Sequence, residues 1–400
     1  MKILIGITGG IDAYKIYELI NIIVKNEDQV KVILTKNAHN FVTPLVIESL
    51  SMNRCYSDMF ESRTDMSHVE LAKWADVFII APATANIIGK IANGIADDLL
   101  STSILALNNV PSFIFPGMSP AMLESKVVQE NLDKLRALGH YVIEPAEMGP
   151  TFGETRKGKL PEPGAIFNFI RLFFKYRESG INKELSRKRV LITAGATRAN
   201  LDSVRFISSR SSGRMGVELA GFCYLSGAKV NLIVNKELRD MFPEIDIYAE
   251  NITEVETTEQ VLEAAGDIFD DMDIYISAAV LCDFKNDPDG CIIKKDGDIF
   301  ELKIPAGPDV YKYLSGKKDM QVMVGFFMET ENMEEHALEK LENSYLDIVI
   351  ASSPSAVNAE MSDAVILSRH GDKEEIKEAE KSLIAVKTIK FIDKVIGNNA

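Results

Sequence analysis

Residues 75–102, ADVFIIAPATANIIGKIANGIADDLLST, constrain the fold more than any other stretch. They read as a buried strand that empties into a loop of small residues and then a helix rich in Ala and Gly. Such a loop lets backbone come close to a flat, phosphate-bearing ligand. The same order of elements surrounds it. Residues 3–8 form a short apolar strand broken by Gly9-Gly10, and 13–25 have helical periodicity with Tyr14, Tyr17 and 20–23 toward one side. Further strands are expected at 30–34, 77–80 and 112–115. Strand alternating with helix at this spacing argues for a parallel sheet covered on both faces. Ligands bind such sheets at the carboxyl ends of the strands. Thr8-Gly9-Gly10, Thr35, 81–86 and 116–118 all fall there, so they can converge on one cleft.

A second cycle follows. Residues 149–164, GPTFGETRKGKLPEPG, read as a mobile flap or loop, and 165–187 as a helix leading out of the first domain. Strands are then expected at 190–193, 229–234, 274–277, 322–325 and 348–350, with helices at 213–224, 331–345 and 373–396. Segment 283–304, with its DPDG and KKDG turns, is expected to be a β-rich excursion across the mouth of a second site. The fold class is therefore α/β, with two doubly wound parallel-sheet domains. A chain of 400 residues is too long for one ordinary core. The expected boundaries are 1–175 for the first domain, 176–188 for a linker helix and 189–400 for the second.

Charge narrows the partners. A net charge of −15 argues against nucleic acid or an anionic membrane as a partner, while leaving room for a local basic pocket. No stretch approaches 18 apolar residues and the amino terminus lacks a signal-peptide pattern, so the expected location is the cytoplasm. Four cysteines without CxxC spacing indicate neither a disulfide scaffold nor a zinc site.

The TGG turn before a helix offers backbone N–H groups and a helix amino terminus to an anion, and Thr35, Thr84 and Asn86 add short polar side chains. No GxGxxG fingerprint is present. Taken with ATAN and NGIADDLL, the segment resembles the homo-oligomeric FMN-dependent cysteine decarboxylases, which include phosphopantothenoylcysteine decarboxylase. The resemblance implies a flavodoxin-like flavoprotein domain in which Gly9, Gly10, Thr35, Ala38, Ala81, Thr84, Ala85, Asn86 and Met118 hold FMN. In TDMSHVELAKWAD it implies that His68 is the catalytic base; an ordinary surface histidine is the other reading. Ser119 stands where the family has the Asn that clamps the substrate carboxylate, and Phe152 where a flap Cys protonates the intermediate. Arg156, Lys157 and Lys159 either hold a phosphorylated substrate or form a solvated charged loop.

Residues 190–216, VLITAGATRANLDSVRFISSRSSGRMG, carry a polar, short-chained SSRSSG run suited to cradling phosphate. With 277–280, Asp283-Phe284, Gly325-Phe326 and Glu329-Thr330, they resemble phosphopantothenate–cysteine ligase. This implies a Rossmann-like domain that uses CTP and Mg2+ to activate 4'-phosphopantothenate for attack by cysteine. Gly195, Ala196, Ala279, Asp283, Phe326 and Lys340 would contact the nucleotide, Asp283 the metal, and Arg210 and Lys294 the substrate, alongside Arg156 of the first domain. Ser209 takes the place of the Asn that touches the acyl intermediate. Cys291 and Ser344 replace two lysines, with Lys294 or Lys295 as substitutes for the first.

Together the two resemblances follow the order of the bifunctional coenzyme A biosynthesis flavoproteins and span nearly the whole chain. They imply a homo-oligomer with trimeric flavin domains and dimeric ligase domains. The five departures keep two alternatives open: a divergent paralogue that retains FMN but acts on another cysteine-like or phosphorylated substrate, and a noncatalytic regulatory partner.

Overall fold

The computed structural model describes residues 1–60, 67–148, 156–181, 183, 185–285, 304–343 and 346–399. It separates into two units, Met1–Asn168 and Phe169–Ala400.

The first unit is built on a six-stranded sheet in the spatial order Cys55–Tyr56, Gln29–Leu34, Lys2–Ile7, Val77–Ala83, Ser112–Pro116, Tyr141–Val142, with every neighbouring pair parallel. Strands such as VFIIAPA are buried along their whole length because helices cover both faces, which explains why they show no polar alternation. Strand order reverses between Lys2–Ile7 and Val77–Ala83. A crevice opens at the carboxyl ends of two strands whose connections leave in opposite directions. Leu4, Ile33, Phe78, Ile80 and Ile114 of the sheet pack with Ile87, Ile91, Leu100 and Leu132 of the helices in one core.

The segment expected to be one helix over 13–25 starts as a 3-10 turn, Ile11–Lys15, and becomes an α-helix only at Ile16–Lys25. Its buried side is Ile16, Leu19, Ile20 and Ile23. Tyr14 is exposed, so it does not share that face. Tyr17 uses its hydroxyl to accept from Thr43 N at 2.9 Å.

The helix Pro163–Glu178 carries the chain from one unit to the next. It ends nine residues before the expected Arg187. Ser179 is the cause: its Oγ donates to Tyr176 O at 2.6 Å and accepts from Ile181 N at 3.1 Å, replacing helical bonds with local side-chain ones.

In the second unit eight strands lie in the order Ala249–Glu254, Lys229–Val234, Arg189–Ala194, Ile274–Ser277, Val322–Met328, Ile348–Ser352, Met361–Ser368, Lys373–Glu380. The first six are parallel and the last two antiparallel. The expected helix 373–396 is thus a strand, Lys373–Glu380, followed by a helix, Lys381–Asn399. KEEIKEAE is made of helix formers, but pairing with Met361–Ser368 overrides propensity. Only Ile376 and Ala379 turn inward, and the rest supplies the charges that protect an edge strand. The expected helix 331–345 is observed as Met333–Asn343. Most of the expected excursion, 286–303, lies outside the described residues. No described helix is long and apolar enough to cross a membrane.

Candidate active sites

At the crevice of the first unit, Thr8 ties the two central strands together. Its Oγ1 donates to Pro82 O at 2.6 Å and accepts from Thr84 N at 3.1 Å. Gly10 N returns to Thr8 O at 2.9 Å, closing the turn expected from TGG. A Cβ on Gly10 would lie 3.6 Å from both Gly117 O and Thr84 Cγ2, so three loops meet within van der Waals distance. Gly117 has no alternative here, since a Cβ would come within 2.8 Å of Pro82 Cβ. Thr35 is fixed by N–H donation to Ile7 O at 3.1 Å, with Ala38 buried one turn on. Gly9 packs against Asn37.

Thr84 precedes the helix Ala85–Ala92 but makes no side-chain cap bond. Its hydroxyl and the first N–H groups of that helix are open to a ligand, with exposed Asn86 beside them. This donor set suits the phosphate and the ring edge of a flavin. The structure brings Gly9, Gly10, Thr35, Ala38, Ala81, Thr84, Ala85 and Asn86 to one end of one sheet. Met118 follows Gly117 there, but its N–H is spent on Gly158 O at 3.1 Å and it packs against the core. Ser119 is exposed, and its side chain makes no cap bond at Pro120–Leu123.

His68 opens the helix His68–Trp74 and is half-buried. A capping box between Ser67 and Glu70 fixes that helix end. The backbone N–H of Ser67, with its hydroxyl second, holds the Glu70 carboxyl below its usual range. Among the described residues no hydrogen bond joins His68 to Thr84, Asn86 or Ser119. Residues Asp12 and Lys15, which the motifs did not single out, anchor the hairpin Ala146–Met148/Arg156–Lys159 where it leaves the sheet. Asp12 Oδ2 accepts from Leu160 N at 2.9 Å, while Lys15 Nζ donates to Leu160 O at 3.0 Å and Glu162 at 2.9 Å. The tip containing Phe152 lies outside the described residues, as does the side chain of Arg156.

The second unit has a cavity of about 590 Å3 at the carboxyl ends of its parallel strands. Ser211, Ser212 and Gly213 form one wall, and Ala279, Asp283, Phe326 and Lys340 also face it. Gly213 lines the cavity and meets Gly195 behind that wall, both at positive φ (76° and 96°); Gly195 and Ala196, expected at the nucleotide, are not among the lining residues. A Cβ on Gly213 would sit 2.8 Å from Gly195 Cα and N. Ala196 pairs with Val280 in an isolated bridge, and Val280 N donates to Gly195 O at 2.9 Å. Thr197 Oγ1 accepts from Cys282 N at 2.6 Å and shares a bond with Thr258, so the loop carrying Asp283 is held from beneath. Ser209 and Arg210 are exposed on the approach to Ser211. Ser209 Oγ accepts from Ser211 N at 3.3 Å, and Arg210 O accepts from cavity-lining Asn358 at 2.9 Å. Lys340 Nζ lies 5.2 Å from the centre of the Phe327 ring.

Among the described residues no group of three or more His, Cys, Asp or Glu could hold a metal. Asp283, Asp309 and Glu329 are the carboxylates that line the cavity among the described residues. Cys291, Lys294, Lys295 and Ser344 lie outside the described residues. The motifs did not single out Arg214, Asp309 or Lys381, all of which line the cavity. Lys381 sits within a charged run, KEAEKS, that looks like solvated surface.

A family model described as Flavoprotein matches residues 1–175, and one described as DNA/pantothenate metabolism flavoprotein C-terminal domain matches 185–396. The coenzyme A biosynthesis bifunctional protein CoaBC of Bacillus subtilis (strain 168) is 37% identical over 383 residues, covering 94% of this chain and 92% of its own. The chain belongs to the CoaBC family. A CoaBC protein of Haemophilus influenzae is 36% identical over 93% of the chain and 92% of its own length. One from Borreliella burgdorferi is 31% identical over 98% of both. Membership thus extends through both units, and both sites described above fall inside the matched segments.

Proposed function

We propose that this protein performs both reactions of its bifunctional relatives in coenzyme A biosynthesis: the second unit joins 4'-phosphopantothenate to cysteine, and the first decarboxylates the product to 4'-phosphopantetheine. The carrying observation is identity of 37% to a bifunctional CoaBC protein over 94% of the chain, which leaves neither unit unmatched.

In the second unit, the pantothenate carboxylate attacks the α-phosphorus of CTP and pyrophosphate leaves. The cysteine amine then attacks the acyl carbon, forming the amide as CMP departs and the amine loses a proton. Negative charge accumulates on the phosphoryl and acyl oxygens, so donors and cations around the cavity lower the barrier. Ser211, Ser212 and Gly213 face the phosphates in this reading, Phe326 and Ala279 the nucleoside, and Asp283 a Mg2+ ion. Arg210, exposed on the approach to the cavity, serves the acyl substrate in this reading, with Lys294, outside the described residues, as a second cation for it.

In the first unit, FMN would supply reversible two-electron chemistry, which suits a decarboxylation that is redox-neutral overall. Thr84, Asn86 and the Gly9–Gly10 turn hold the FMN at the crevice. His68 takes the thiol proton and Ser119 orients the carboxylate that departs as CO2, while the proton that completes the product comes from an acid other than Phe152. Exposed Ile11, Leu45, Met52 and Phe60 provide apolar surface for association through this unit, consistent with a trimeric arrangement beside dimeric ligase domains. A cytoplasmic setting accompanies these substrates.

The test uses the full chain with FMN, phosphopantothenate, cysteine, CTP and Mg2+. CMP release above a control lacking cysteine, followed by CO2 and 4'-phosphopantetheine, is the expected result. Absence of cysteine-dependent CMP rejects the ligase half, and failure to take up added FMN rejects the decarboxylase half.

A further inference from the structure

Lys381 is the first residue of the helix Lys381–Asn399 and lines the cavity of the second unit while being only 8% exposed. Its Nζ donates to two backbone carbonyls, Ala359 O at 2.8 Å and Ala356 O at 3.2 Å. Among the described residues it forms no ion pair. The opposite charge that acts on it is that of Glu218, which is itself shared with Arg214 at 3.9 Å.

Apart from these two carbonyls and the more distant pull of Glu218, what surrounds this ammonium disfavours its charge. Burial strips most of its hydration without supplying an opposite charge in contact with it. The helix amino terminus adds positive partial charge where a carboxylate would be preferred. Arg214, on the same cavity, repels it. Burial first and Arg214 second hold its pKa below the usual lysine range, despite the opposing pull of Glu218. Two neutral carbonyls orient the group without neutralising it. A cation kept in such a place is compensated once an anion enters the cavity.

Resting on the CTP-dependent reading of this cavity, we infer that Lys381 is a phosphate-binding residue, holding a phosphate group of the bound substrate against the amino terminus of its helix. That phosphate belongs either to the nucleotide or to 4'-phosphopantothenate, and the chemistry recognised is the same.

The experiment is direct binding to the full chain and to Lys381→Gln, which keeps an N–H donor for Ala356 and Ala359 but removes the charge. CTP is compared with CMP and cytidine, and 4'-phosphopantothenate with pantothenate, at two salt concentrations. The expected result is a loss of about tenfold or more for one phosphorylated ligand, smaller at high salt, with its less phosphorylated counterparts within twofold. Loss confined to the CTP series assigns the triphosphate, and loss confined to phosphopantothenate assigns that phosphate. Equal affinities for both phosphorylated ligands in Lys381→Gln and the parent overturn the inference and leave the ligase reading intact. Parallel losses across phosphorylated and unphosphorylated ligands also overturn it, by making the lysine a structural pin. A parent protein that binds none of the nucleotides rejects the ligase reading itself.

Discussion

Thr84 N donates to Thr8 Oγ1 at 3.1 Å, and the same hydroxyl donates onward to Pro82 O at 2.6 Å. One side chain at 2% exposure therefore ties together the carboxyl ends of the two strands that flank the crevice. Replacing it with the isosteric Val removes both bonds and leaves a buried acceptor and a partly buried donor unsatisfied. Thr8→Val should cost about 1–3 kcal/mol of stability. It should also weaken FMN retention, because Thr84 loses its anchor. Thermal unfolding and the flavin-to-protein absorbance ratio after gel filtration check this; unchanged retention means the crevice is held by something other than Thr8.

The two glycines under the second cavity make a local, separable prediction. A Cβ on Gly213 would fall 2.1 Å from Leu238 Cδ1 as well as 2.8 Å from Gly195, at a φ of 76° that side chains rarely adopt. The Leu side chain can move, but the Gly195 backbone cannot do so cheaply. Gly213→Ala should abolish cysteine-dependent CMP release or reduce it at least about a hundredfold, corresponding to roughly 2.7 kcal/mol. FMN content should stay at the parent level. A variant that still releases CMP normally shows that the Ser211–Gly213 wall does not touch the nucleotide.

Much of this architecture is legible in the sequence because buried parallel strands leave continuous apolar runs. VFIIAPA and VLITA need no partner to be recognised, and the small residues after them mark where ligands approach. The edge of the second sheet is opaque for the opposite reason. In KEEIKEAE only Ile376 and Ala379 turn inward, and its charges serve an edge strand as well as they would serve a helix. Its position after a strand puts Thr8 at the cleft, but its bridging bonds, like the burial of Lys381, are harder still. A threonine after a strand and a lysine in an acidic run are ordinary residues until crossovers bring Pro82 and Arg214 beside them. Ala279, Asp283, Phe326 and Lys340 line one cavity, while Gly195 and Ala196 do not. The reading of 283–304, by contrast, depended on turn residues and falls largely outside the described segments.

Glu218 gives a pH dependence. Its side chain is 15% exposed, and Oε2 has no hydrogen-bond partner. Burial raises its pKa above the usual carboxyl range, and Lys175 and Arg214 only partly offset this. A group whose folded pKa exceeds its unfolded value contributes stability that is complete below the unfolded pKa and is lost as pH rises through the folded one. Urea midpoints of the parent should therefore fall, through this group, from about pH 4.3 upward. Glu218→Gln should lack that component, so the difference between variant and parent moves in the variant's favour with rising pH. A difference that is constant between pH 4 and 7 rules out a raised carboxyl.

Ser209 tests whether a departure from the family pattern limits the ligase. It lies on the exposed approach to the cavity, with its hydroxyl accepting from Ser211 N at 3.3 Å. A serine there has one short polar arm already engaged in shaping its own loop, whereas the Asn of related ligases projects an amide farther with both donor and acceptor capacity. A hydrogen bond to a charged group is worth about 1.5–3 kcal/mol, which corresponds to roughly ten- to more than a hundredfold in rate. Ser209→Asn should consequently raise kcat/KM for CMP release by at least about tenfold if the missing reach is the handicap. Decarboxylation of separately supplied phosphopantothenoylcysteine should not change, because that reaction belongs to the first unit. A slower ligase after the substitution carries the opposite meaning: the loop closed by Ser209 onto Ser211 already fits the protein's own substrate, and a longer amide disturbs it.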